Sequence, residues 1–478
     1  MIETGEARLR LGAAAVRLEG LPEAAGRRPL DVAEAFRDLP GLALLESGRP
    51  GRRSRWSYLA ADPVEILEAP TAGRDPFATA RDLVARMAPG APSSIDERAR
   101  PPFLGGLIGY LSYDLGHALE RLPTRAVDDQ GLAVMRLALH DWVIAWDHRT
   151  GAAWLGGRAI DHDTAALDRR LDDVRVRLTS RASPSQPAAG GNDDVPVRFR
   201  SSMDRMEYEG RVQAVRAAIE RGDIYQANLS RRLEAPFRGD PWRAYRQLRT
   251  GDPAVYSAYV DLGASPEGVQ RAILSASPEP FLAVNSHGDV ATDPIKGTRP
   301  RGRTREEDRA LARDLLSSAK DRAENVMIVD VLRNDLGRVC SPGTVRVPRL
   351  CRLERTAAVQ HLVSTVTGRL APGRDEFGLL AAAFPGGSVT GAPKIRAMEI
   401  LEELETVRRG PYTGAIGWIG PDGAMATSIA IRTFVADGRR LTLHVGGGIT
   451  WRSDPSAEWD ETVAKARGPL SAIGAVEA

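Results

Sequence analysis

Short strand patterns with helical patterns interspersed predict a fold of the α+β class for this 478-residue sequence. Residues 42–47, 105–114 and 137–146 read as strands, the second interrupted by Gly105, Gly106 and Gly109 as where another backbone approaches closely. Residues 165–178, 205–221, 306–318, 319–332 and 394–404 carry helical patterns. Residues 180–194 are rich in Ser, Pro, Ala and Gly and lack any hydrophobic period, which is linker composition. Length alone suggests about three domain-sized units and equally allows two larger ones. The linker favours two, residues 1–182 and 196–478, joined by residues 183–195.

Composition excludes several classes of function. A net charge of +2, from 65 basic and 63 acidic residues, gives no global pull towards nucleic acid or an anionic membrane. No run reaches the ~18 apolar residues of a membrane span, and the acidic start Met1-Ile2-Glu3-Thr4-Gly5-Glu6 has no apolar signal segment. The two cysteines, Cys340 and Cys351, lack CxxC spacing and a nearby histidine pair, so neither zinc nor a disulfide framework is expected. The expected compartment is the cytoplasm.

The first unit shows no acid/base constellation and reads as architectural or regulatory. In the second, Asp204 is a helix N-cap and Gly222 a stop. Along 223–230, Tyr225, Ala227 and Leu229 share one strand face and Gln226 and Asn228 the other, where two amides either serve a polar ligand or form an exposed face. Lys296 lies in Asp293-Pro294-Ile295-Lys296-Gly297-Thr298-Arg299-Pro300, a short rigid loop in which Gly297 permits positive φ or a close backbone approach. An apolar neighbour such as Ile295 helps to desolvate the amine and to lower its pKa from about 10.4; a solvated loop lysine is the plainer alternative. A hairpin through residues 280–292 would bring Glu279 beside it.

Further along, His361 sits on a strand at 359–364, and residues 384–394 form a glycine-rich turn into a helix. Freed N–H groups there would make an anion-binding concavity. It lacks P-loop spacing, so a carboxylate suits it as well as a phosphate. Strands follow at 414–419, at 428–434 with Arg432 in its apolar middle, and at 441–449. Asp454-Pro455 opens a helix that places Glu458, Glu461 and Lys465 on one face. Those two carboxylates are either ligands for a hard divalent cation or part of an exposed salt-bridge ladder.

Taken together, these segments resemble the chorismate-utilising enzymes. The matching strings are Gly222-Asp223-Ile224-Tyr225-Gln226-Ala227-Asn228, Ser277-Pro278-Glu279, Pro294-Ile295-Lys296-Gly297-Thr298, Ala323-Glu324-Asn325, Arg333-Asn334-Asp335, His361-Leu362-Val363-Ser364, residues 385–394, and Glu458-x-x-Glu461-Thr462-x-x-Lys465. Leu45-Glu46-Ser47 and Gly105-Gly106-Leu107-Ile108-Gly109-Tyr110 extend the match over nearly the whole chain. Within that family Gln226 with Lys296 resembles the aminodeoxychorismate-forming subgroup; anthranilate synthases carry alanine in place of Lys296, and isochorismate and salicylate synthases carry lysine in place of Gln226.

The resemblance implies large antiparallel sheets around a core with helices outside. It implies amination of chorismate by ammonia through a covalent Lys296 intermediate, with Glu279 as general acid and His361 near the ring. It implies Mg²⁺ on Glu324 and on Glu461 or Glu458. The ring carboxylate would be held by Gly387, Ser388, Thr390, Gly391 and Lys465, and the enolpyruvyl end by Tyr412, Arg432 and Gly446, Gly447 and Gly448. The chain has no Gly-x-Cys-x-Gly nucleophile elbow, so ammonia would come from a separate glutamine amidotransferase subunit or from solution. Glu46, Ser47, Arg55 and Ser57 resemble a tryptophan pocket. The product would feed p-aminobenzoate and folate synthesis or secondary metabolism. The alternatives are anthranilate synthase component I and a catalytically silent chorismate-binding subunit.

Overall fold

The structure is a computed structural model that describes residues 15–48, 55–68, 75–90, 96–180, 197–356 and 359–478. The linker expected at 183–195 lies outside the described residues.

Alternation along the strands builds two stacked sheets. In strand Gly106–Leu111, Leu107 and Leu111 face outward and join Leu332 and Leu336 of helix Ala319–Gly337 and Leu380 of helix Glu376–Ala383. Ile108 faces the other way, into a layer with Tyr58, Val143 and Trp418. In strand Trp142–Asp147, Val143 and Ala145 enter that same layer, while Trp142, Ile144 and Trp146 pack outward with Leu167 and Leu171 of helix Thr164–Ser180. The result is a pair of large antiparallel sheets with helices outside, the α+β architecture expected.

Among the described residues one sheet has thirteen strands and the other ten, and each draws on both sides of the expected linker. In the first, Ala43–Glu46 pairs with Tyr256–Ala264; in the second, Gly106–Leu111 pairs with Ala415–Ile419. Residues 1–182 and 196–478 are therefore joined through both sheets, and neither closes a sheet of its own.

Two segments that read as single strands are crossovers between the sheets. Residues 137–146 divide into Met135–His140 in the second sheet and Trp142–Asp147 in the first. Residues 428–434 divide into Met425–Ile429 in the second and Thr433–Ala436 in the first. Arg432 is thus not mid-strand: it sits in the crossover at φ +50°. Only His140-Asp141 in the first and Arg432-Thr433 in the second interrupt the apolar pattern where the chain changes sheets, and no Gly or Pro marks either break.

The close backbone approach expected at the glycines is found. A Cβ on Gly106 would lie 2.2 Å from the Ile419 carbonyl oxygen across the pair that joins the halves; Gly109 faces Gly417 in that pair, and a Cβ on either would strike the strand on its other side, 1.9 Å from the Arg136 carbonyl oxygen and 2.1 Å from that of Ala426. Gly417→Ala should therefore destabilise the chain by about 1–3 kcal/mol, seen as a lower melting temperature by circular dichroism; an unchanged melt would contradict the close packing of this strand on Met425–Ile429.

Candidate active site

The hairpin formed by Pro280–Val284 and Asp289–Thr292 places Glu279 just before its first strand, and the strand that follows it, Ile295–Pro300, carries Lys296. Lys296 is on a strand paired with Val359–Arg369, not on the loop expected, and Gly297 forms a bulge there at φ +75°. A Cβ on Gly297 would sit 2.9 Å from side-chain atoms of Leu315 and Asp321.

Both sheets wall a cleft of about 470 Å³ around this lysine. Lys296 Nζ donates a hydrogen bond to the Ser388 carbonyl oxygen at 2.9 Å. Enclosure by protein lowers the Lys296 pKa against the opposing pull of Glu279 and Glu324. Burial raises the Glu279 pKa, against Lys296, the Ser388 side chain and the Ile295 N–H. An amine shifted towards its neutral form and a carboxyl shifted towards its protonated form therefore face one cavity.

The sequence-derived residues divide between the cleft wall and its support. Ser388, Tyr412, Arg432, Gly446, Gly448, Lys465, His361, Glu279, Lys296, Glu324 and Glu461 all line the cleft. His361 Nδ1 shares a 2.9 Å hydrogen bond with Thr298 Oγ1, and Tyr412 stacks on His444 with ring centroids 5.1 Å apart. Arg432 Nη1 is 3.8 Å from Asp252.

Gly387, Thr390, Gly391, Gly447, Gln226 and Glu458 stand behind that wall. Gly387 packs on Val331, where a Cβ would lie 2.7 Å from a methyl carbon. The Thr390 carbonyl accepts the Asn228 N–H at 2.8 Å, and Gly391 pairs with Ala227. These residues pin the glycine turn to strand Gln226–Pro236. The cleft receives Ser388 and Val389 from that turn and not the N-terminus of helix Lys394–Leu404, whose half-buried Lys394 pairs with Asp335 at 2.8 Å. The anion-binding concavity expected at the start of that helix is therefore not part of the cleft.

On strand Gln226–Pro236, Ala227 and Leu229 pack with Tyr208, Val212 and Leu401, and Tyr225 precedes the strand and is exposed. Asn228 reaches the cleft. Gln226 is fully buried beneath Gly448, where a Cβ would lie 2.4 Å from its Nε2, and neither of its amide atoms has a hydrogen-bond partner among the described residues. The amide face is turned inward, not exposed.

Glu324 and Glu461 supply oxygen donors to the cleft. Glu324 Oε1 is buried without a hydrogen-bond partner among the described residues, with Lys320 Nζ 4.0 Å away, and burial raises the Glu324 pKa. Burial pushes Glu461 upward too, but Lys465 at 2.7 Å, with Lys320 and Lys296, outweighs it and leaves its pKa below the usual value. Lys465 Nζ also donates to the Gly446 carbonyl at 2.8 Å. Glu458 accepts from Ser453 Oγ at 2.6 Å and faces Gly447. Among the described residues no three acidic, histidine or cysteine side chains form a complete metal cage. Two carboxylates, one with an unpartnered oxygen, suit a hard cation that keeps part of its water shell.

Sequence inspection missed Arg409. Its buried guanidinium is forked to Glu405 at 2.8 Å and donates to the carbonyls of Asn228 at 2.5 Å and Val389 at 3.0 Å and to Thr413 Oγ1 at 3.2 Å. Glu405 accepts in addition from the Ser230 N–H and hydroxyl. One side chain thus ties together three segments of the cleft wall. The adjoining Gly410-Pro411 turn before Tyr412 was a visible cue to a fixed backbone, but nothing local marks the arginine as buried.

A second cleft, about 220 Å³, is lined by Glu46, Ser47 and Arg55. Glu46 is bonded by Arg249 at 3.0 and 3.1 Å, and Arg55 is forked to Asp147 at 3.0 and 2.7 Å. Ser57 lies behind, its hydroxyl accepting the Ser47 N–H at 2.9 Å.

A family model described as chorismate binding enzyme matches residues 43–471. The chain belongs to the chorismate binding enzyme family. Among members of this family, it is 44% identical over 364 residues to aminodeoxychorismate synthase component 1 of Klebsiella aerogenes, covering 76% of each chain. It is 40% identical over 437 residues to anthranilate synthase component 1 of Streptomyces coelicolor, covering 90% of this chain and 82% of the relative. The crystal structure of anthranilate synthase component I from Streptococcus pneumoniae superposes with a TM-score of 0.75 at 32% identity, over 88% of this chain and 93% of that one. The menaquinone-specific isochorismate synthase of Escherichia coli has a TM-score of 0.71 at 17% identity, over 96% and 94%, a likeness of fold alone. The chain is thus a chorismate-utilising enzyme of this family, and no helix among its described residues is long and apolar enough to cross a membrane.

Replacing Arg409 by methionine leaves Glu405 buried without its counter-ion. The expected cost is about 3–5 kcal/mol, read as a lower denaturation midpoint; a midpoint equal to that of the parent would remove Arg409 from its place as the tie of the cleft wall.

Proposed function

We propose that the chain is component I of an aminodeoxychorismate synthase, converting chorismate and ammonia to 4-amino-4-deoxychorismate. The observation that carries this reading is the Lys296 amine, enclosed in the cleft, bonded to the Ser388 carbonyl at 2.9 Å and held below its ordinary pKa. The pairing of Lys296 with Gln226 supports it against an anthranilate synthase, whose relatives match the chain nearly as well.

In this reading Ser388 and Lys465 hold the ring carboxylate, and Tyr412, Arg432 and Gly448 the enolpyruvyl end. The free amine of Lys296 forms a bond to C2, the ring double-bond electrons shift, and the C4–O bond breaks. Glu279 gives its proton to the departing hydroxyl, which leaves as water. Ammonia then bonds to C4, the electrons shift back, and the C2–N bond to Lys296 breaks. The Glu279 carboxylate takes up the proton that the new amine sheds. Glu324 and Glu461 would hold Mg²⁺, which when bound offsets the negative charge of the ring carboxylate. Ammonia comes from a separate glutamine amidotransferase subunit or from solution, and the product feeds p-aminobenzoate and folate synthesis. The cleft at Glu46, Ser47 and Arg55 is the seat proposed for tryptophan.

Incubation with chorismate, Mg²⁺ and ammonium should yield a product that retains the enolpyruvyl group, identified by mass spectrometry, and Lys296→Ala should make at least about 100-fold less of it. Without ammonia, the parent protein should gain the mass of chorismate less water on Lys296. Release of anthranilate and pyruvate would instead make the chain an anthranilate synthase, and turnover by neither route would leave a silent subunit.

The acid and base limbs can be separated. The rate should rise with pH as Lys296 loses its proton, below the ordinary lysine value, and fall as Glu279 loses its own, above the ordinary glutamate value. In Glu279→Gln the rate should drop about 10²–10⁴-fold and the fall at high pH should vanish. Persistence of that fall would assign the acid to another group.

A further inference from the structure

A cleft of about 780 Å³ that does not hold Lys296 lies beside the hairpin of Pro280–Val284 and Asp289–Thr292. Its floor is one row across the second sheet. Strand register places Arg346 opposite Thr367, Thr367 opposite Ala291, Ala291 opposite Ala283, Ala283 opposite Ala426 and Ala426 opposite Trp418. Directly opposed residues share a face, and the row faces the inter-sheet layer, since Trp418 packs there on Phe103 with centroids 4.9 Å apart. Three consecutive alanines, on strands about 4.8 Å apart, leave a flat trough roughly 10 Å long. An indole bounds one end, and Arg346 lies beyond the other.

Residues 97–104 supply the roof, and the first sheet adds one buried charge. Arg158 lines the cleft and is 1% exposed. Its Nη1 donates to the Ala88 and Gly90 carbonyls at 2.8 and 2.7 Å, and its Nη2 reaches Asp422 only at 3.4 Å. Its Nε has no hydrogen-bond partner among the described residues. A buried guanidinium with an unused donor costs stability unless an acceptor completes it. The volume is within the roughly 300–1,000 Å³ of small-molecule sites, which combine an apolar lining with a few fixed polar groups.

The geometry points to a second ligand site in this cleft, for a small planar apolar molecule bearing one carboxylate. The flat body lies on the alanine row against Trp418, and the carboxylate meets Arg158. This site stands apart from the amination chemistry and does not depend on it.

Isothermal titration of the full chain with 2-naphthoate tests it. One saturable site is expected, not displaced by saturating chorismate. The neutral analogue 2-naphthalenemethanol should bind at least about tenfold more weakly. Ala283→Phe, which fills the trough from an exposed position on its floor, should weaken naphthoate at least about tenfold while turnover of chorismate is unchanged, and Arg158→Met should do the same. If Arg158→Met does not fold, Ala283→Phe decides. Absence of saturable binding, displacement by chorismate, or equal affinity in Ala283→Phe overturns the assignment.

Discussion

An amine enclosed by protein beside two carboxylates is the constraint around which the cleft is built. One unit of pKa corresponds to about 1.4 kcal/mol, so moving a lysine substantially towards neutrality requires that protein take the place of water on most sides. A loop does not supply that environment. Here Lys296 is fixed on a strand, its approach set by the Gly297 bulge, its Nζ tied to a carbonyl of the opposing turn, and its neighbours Glu279 and Glu324 are enclosed with it. The wall that encloses them is in turn held by the buried Arg409–Glu405 pair, which spans three chain segments.

The superpositions show how little of this chemistry belongs to the fold. Anthranilate and isochorismate synthases share the architecture at TM-scores of 0.75 and 0.71, the latter at 17% identity. Function resides in side chains placed on the common frame, and in this chain the two that the proposed reading takes as distinguishing, Lys296 and Gln226, occupy different depths. Lys296 touches the cleft, whereas Gln226 lies behind Gly448 with its amide unpartnered among the described residues.

What was legible in the sequence follows from locality. Helix starts were readable because caps are local: Asp204 and Glu207 form the reciprocal capping box at the start of Arg205–Glu220. The crossovers at Asp141 and Arg432 were not, because hydrophobic pattern records burial and not which sheet does the burying. The same limit applies to the site. Residues that touch the cleft, such as Glu279, Ser388 and Lys465, lie in motifs that name them. Thr390, Gly391 and Gly447 lie in the same motifs but serve the backbone, and only the strand register separates the two groups. Arg409 was overlooked for the opposite reason: all its partners except Glu405 and Thr413 are far away in sequence.

The shared sheets have a consequence for how such a chain can be divided. Cutting it between residues 180 and 197 would part Ala43–Glu46 from Tyr256–Ala264 and Gly106–Leu111 from Ala415–Ile419. Each fragment would then carry two unpaired strand edges, the kind of surface that recruits any available chain. The stretches on either side of the expected linker thus act as each other's edge protection: every sheet edge that one leaves open at these two pairs is covered by the other.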